Sequence, residues 1–110
     1  MICYNVTVNI AQEQANDWLE WMRDVQLPRV LAAGLVSGYR LLYIPDDEED
    51  ESLTFATQYN FPSRENFELF KQNHAKGMQT AQRSRFGQDF VAIRTVMEVL
   101  EQQSFLVSQS

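Results

Sequence analysis

The sequence holds one cysteine, one histidine, three prolines and four glycines in 110 residues, and each scarcity closes off a class of protein. A single cysteine, Cys3, allows no internal disulfide and no zinc site of clustered thiolates. On an alternating stretch it is expected to be a small packed hydrophobe. A single histidine, His74, is a thin basis for a metal site, and the sequence holds no Ser-His-Asp set, no Cys-His pair and no glycine-rich phosphate loop. Positive charge is also scarce: nine Lys and Arg stand against fifteen Asp and Glu, for a net charge of −6. Such a chain suits neither a nucleic-acid backbone nor an anionic bilayer surface. No apolar run approaches the ~20 residues that span a bilayer. "MICYNVTVNI" shows no basic leader followed by an apolar stretch. The expectation is a cytoplasmic protein with no metal, no cofactor, no nucleic-acid partner and no membrane partner.

What is present is one domain's worth of apolar material, 45% of the residues, near the commonest domain size. No linker, low-complexity tract or repeat interrupts it. Residues 2–10 alternate, with Ile2, Tyr4, Val6, Val8 and Ile10 on one side and Cys3, Asn5, Thr7 and Asn9 on the other, which predicts a strand. Ala15, Trp18, Leu19, Met22 and Val25 then form a helical stripe. Pro28 disfavours helical geometry before it, so this helix is expected to end or kink near Gln26. Pro28 would open a further turn that Gly34 stops.

Residues 36–44 and 53–61 alternate again and predict two strands. Between them lies the acidic run "PDDEEDES", expected to be a solvated hairpin loop, without the ligand spacing or central glycine of a calcium loop. Ser63 is a good helix N-cap. The helix it opens, residues 64–86, carries Phe67, Phe70, His74, Met78 and Ala81 on one stripe. Residues 90–100 predict the last strand, and residues 101–110 a patternless tail after a domain of residues 1–100. The order β-α-β-β-α-β is the α+β split arrangement, a four-stranded antiparallel sheet with both helices on one face.

Two helices cover one face only. By parity the other face is expected to carry Cys3, Ile44, Ala56, Phe90, Ala92 and Val96 among the polar Asn5, Thr7, Asn9, Arg40, Gln58 and Arg94. That mixture is too apolar for comfortable exposure and marks an interface. A two-fold dimer, sheet to sheet, would bury it, with Asn5, Arg40, Gln58 and Arg94 as candidate residues of the dimer face.

Taken together, "YNVTVNI", "WLEWM", "LPRVLAAGLVSGYRLL", "TFATQY" and "RFGQDFVAIRTVME" resemble an uncharacterised family of small bacterial domains within the dimeric α/β-barrel superfamily of ferredoxin-like folds. The resemblance covers about residues 1–100 and implies a homodimer with facing sheets. The superfamily includes cofactor-independent monooxygenases, haem-degrading enzymes, lactone isomerases and ligand-sensing domains. Many members place a histidine before the proline of the first helix. Here the matching residue is Gln26, which can hydrogen-bond a ligand but cannot act as a base near neutral pH. Asn5 and His74 share only their elements with the Asn and His of the haem-degrading members.

Trp21, Gln26, Tyr59 and His74 are the candidate lining of a pocket between helices and sheet. No catalytic residue is assigned. The expected function is that of a homodimeric domain, structural or binding a small molecule. The alternative is a cofactor-independent monooxygenase-like or haem-handling enzyme working in that pocket.

Overall fold

A computed structural model describes residues 1–45, 51–87 and 90–103. Most of the acidic run and the last seven residues of the tail lie outside the described residues.

The first strand, β1 (Ile2–Ala11), leads into α1 (Gln12–Trp21). A wide π turn over Met22–Gln26 joins α1 to α2 (Leu27–Ala32) without a break. Strands β2 (Gly38–Ile44) and β3 (Ser52–Phe61) follow. Next come α3 (Arg64–Phe70), a second π turn over Lys71–Ala75, and α4 (Lys76–Phe86), again one continuous rod. Strand β4 (Phe90–Glu98) completes the sheet. The strand order is β2-β3-β1-β4 with every pair antiparallel. This is the expected α+β architecture.

Local chemistry explains the ends of the rods. Ser63 caps α3, its hydroxyl accepting from the Asn66 amide at 3.1 Å, which satisfies one of the helix's orphan donors. Gly34 ends α2 at φ 72°, a left-handed conformation that glycine adopts without strain.

The middle of each rod departs from expectation. The disturbance expected near Gln26 is there, and Pro28 does stand in the first turn of α2, but the helix does not end. The Leu27 amide donates to Met22 O, five residues back, so a π turn absorbs one extra residue just ahead of the proline. Regular winding would carry the stripe of Met22 on to Arg29, seven residues later. The extra residue brings Val30 round instead: Val30 is fully buried and Arg29 is exposed. Within the turn, Gln26 goes inward and Val25 is exposed. In the second rod regular winding would carry the stripe through His74 to Ala81 and Arg85. The π turn brings Gln82 and Phe86 into the core in place of Ala81 and Arg85.

The core lies between the rods and the sheet. Trp18 tilts against Phe55 at 5.0 Å between ring centroids, and Phe61 packs on Phe67 and Phe70 at 5.4 and 5.1 Å. Aromatic pairs at these separations add to what their buried area contributes.

The second sheet face also needs one correction. The register pairs Tyr4 with Val96, Val6 with Arg94, Val8 with Ala92 and Ile10 with Phe90. Residues opposite each other share a face, so Phe90, Ala92, Arg94 and Val96 sit on the helix side. The uncovered face carries Val91, Ile93, Thr95 and Met97 in their place. Both faces of β4 are apolar, so its alternation alone leaves the choice between them open. Asn5, Arg40 and Gln58 do lie on the uncovered face; Arg40 donates to Gln58 Oε1 at 2.6 Å, and Asn5 Nδ2 to Thr7 Oγ1 at 2.9 Å. Cys3, there too, is half-buried rather than fully packed.

Candidate functional site

The helical rods and the sheet enclose a cavity of about 40 Å³. Its apolar wall comes from Val8, Trp18, Met22, Phe70 and Met78, and its polar groups are Tyr4, Gln26, Thr57, Tyr59, Gln79, Gln82 and Arg94. Of the four residues expected to line a pocket, Gln26 and Tyr59 meet here. Trp21 and His74 are not on its wall. Trp21 packs edge-on against Phe86 at 5.5 Å, and His74 stacks on Phe70 at 5.9 Å. The second π turn explains the displacement of His74: it is Ala75, one residue on, that faces the cavity.

Gln26 is 8% exposed, and its Oε1 is buried with no hydrogen-bond partner among the described residues. An unmet acceptor of this kind costs about 1–3 kcal/mol. The other buried glutamine on the wall is satisfied: Trp18 Nε1 donates to Gln82 Oε1 at 3.0 Å. Gln26 is thus a strong acceptor held ready on the wall by a π turn, a feature that is frequent at functional sites.

The phenols are donors. Burial, with a smaller push from the neighbouring Tyr4, raises the Tyr59 pKa far above its ordinary value of 10.0. Burial also raises that of Tyr4, opposed by the positive charge of Arg94 and by hydrogen bonds that Gln79 and Arg94 donate to its oxygen. Both hydroxyls therefore stay protonated through the physiological range.

Arg94 is exposed at the outer end, and with Gln79 it lines two hollows that adjoin the cavity. The sequence reading missed Arg94 here because it placed it on the wrong face. It missed Tyr4 because a tyrosine on a strand's core face carries no chemical signature, and Gln79 and Gln82 because regular winding leaves both off the stripe of His74, Met78 and Ala81. Phe86, out of phase with His74 and Ala81, was the signal that the winding changes. Among the described residues no group of His, Cys, Asp and Glu comes together to hold a metal ion. Among the described residues no helix is long and apolar enough to cross a membrane.

No curated protein matches the chain by sequence. Its fold is similar to a dimeric ferredoxin-like protein from an uncultured marine organism (TM-score 0.72, 10% identity, 96% of this chain and 100% of the other covered). It is also similar to HapK from Hahella chejuensis (0.70, 11% identity, 97% and 100% covered). An antibiotic biosynthesis monooxygenase aligns at 0.58 and 16% identity over 92% of this chain and all of the other. At these identities the likeness establishes the ferredoxin-like fold alone. The model of a domain of unknown function, DUF4286, matches residues 1–100, and the chain belongs to that family.

Proposed function

We propose that this chain is a homodimeric domain that binds a small molecule between its helices and its sheet. The observation that carries the reading is the buried Gln26 Oε1, without a partner among the described residues, on the wall of a cavity that also holds two protonated phenols. An acceptor buried at that cost, among donors and aromatic walls, is the ordinary make-up of a ligand pocket.

Dimerisation rests on a separate observation. Val91 and Ile93, each 61% exposed, stand with Ile44 and Met97 on the face the helices leave open. A patch of this kind marks an interface, and two of the similar folds are described as dimeric ferredoxin-like proteins. A half-buried lone thiol, Cys3, fits a reducing compartment such as the cytoplasm. The monooxygenase-like or haem-handling alternative finds less support, since His74 and Trp21 lie off the wall and Gln26 is no base.

The test is native mass spectrometry of the purified protein with sedimentation velocity at micromolar concentration. The expected species is a dimer that carries, or takes up from a small-molecule library, one ligand per chain. A monomer that takes up nothing would refute the reading.

A further inference from the structure

Gln79 and Arg94 are common to three hollows: the inner cavity, an outer one of about 350 Å³ between α4 and β4, and another of about 210 Å³ where α3 and the second π turn face β1 and β4. Gln26 lines only the inner one. The site therefore has an inner end with an unmet acceptor and an outer end with a guanidinium. Lys71 lines one outer hollow and Arg83 the other, and among the described residues no carboxylate lines either. Residues 69–87 contain Lys71, Lys76, Arg83 and Arg85 and no acidic residue, in a chain of net charge −6. A local cationic field against an acidic background concentrates anions at that mouth. Among the described residues no carboxylate pairs with Arg94.

Volume sets the rest. The inner cavity, about 40 Å³, has room for a few water-sized groups at ~10–15 Å³ each, far short of the ~150 Å³ that holds a benzene ring. The outer hollow of about 210 Å³, walled by Phe67, Phe70 and Val96, does reach that size. A ligand that uses both must have a ring-sized apolar body outside and a small polar tip inside.

Building on the small-ligand reading above, we infer that the site takes a small organic anion with a body of about one ring. Its acid group lies at Arg94, and a hydroxyl or amino group at its other end donates to Gln26 Oε1. Both phenols stay neutral and so add no negative charge against it. The cation at the mouth selects for charge. The acceptor at the end selects for a donor, because a ligand without one leaves a buried oxygen unpaired.

Three probes of one size separate these requirements: 4-hydroxybenzoate (acid and donor), benzoate (acid only) and 4-hydroxybenzamide (donor only), titrated calorimetrically into the intact protein. The expected result is 4-hydroxybenzoate bound at least tenfold more tightly than either of the others. Arg94→Met is expected to erase its advantage over the amide. Gln26→Leu is expected to erase its advantage over benzoate while benzoate binding stays within twofold, which also shows that this variant folds. Equal binding of 4-hydroxybenzoate and benzoate, or a ratio unchanged by Gln26→Leu, would mean that water serves Gln26 and would overturn the inference. Preference for the amide would overturn it too while leaving the small-ligand reading intact. Failure of all three probes to bind would count against both.

Discussion

The indole Nε1 of Trp18 donates to Oε1 of Gln82 at 3.0 Å, inside the core and between residues 64 positions apart. This bond ties the first helical rod to the second above the sheet. Gln82→Leu leaves the indole donor buried and unpaired, and such a group costs about 1–3 kcal/mol. Urea denaturation is expected to show a loss of that size with an unchanged m-value.

The same substitution at the other buried glutamine has the opposite sign. Gln26 Oε1 is unpaired among the described residues, so Gln26→Leu removes a cost rather than a bond. The variant is expected to be more stable by about 1 kcal/mol and to bind ligand less well, as is common when a functional residue is replaced by an apolar one. Thermal unfolding of the two variants side by side checks the contrast.

Alkaline stability follows from Tyr59, whose pKa burial raises above 10.0. Above pH 10 the unfolded chain releases this proton and the folded chain keeps it. The unfolded state then binds fewer protons, so stability falls as pH rises, by up to about 1.4 kcal/mol per pH unit for this group. Its contribution is fully present below pH 10. Tyr59→Phe is expected to unfold with a shallower slope between pH 10 and 11.5 in pH-dependent denaturation.

The dimer prediction separates the two faces of one strand. Ile93 lies on the uncovered face, in register with Thr7, and Arg94 on the helix side, in register with Val6. Ile93→Asp places a charge in the proposed interface and is expected to weaken dimerisation at least a hundredfold, about 2.7 kcal/mol. Arg94→Asp is expected to sediment as a dimer. The reverse outcome would move the interface to the other side of the sheet.

The architecture was legible because strand alternation and the Ser63 cap are local signals that agree with each other. Strand β4 was legible as a strand but not as to its faces: Val91 and Ile93 are as apolar as Phe90 and Ala92, so only pairing with β1 decides which way they point. The cavity was half legible. Gln26 and Tyr59 could be named, but His74 was expected where Ala75 stands. The stripe was projected at 3.6 residues per turn, and a π turn adds a residue that this rule does not count. Proline at position 28 signalled disturbance, and the physical response to it was a wider turn rather than a stop.

The wide turns bear on how the chain tolerates changes of length. Each behaves as one residue inserted into regular winding, with everything downstream held in place. Removing Gln26 should therefore restore an ordinary helix and leave Val30 in the core, sacrificing only the inward carbonyl. Most shortenings of a helix scramble all that follows; this one is expected to delete the recognition feature and spare the scaffold.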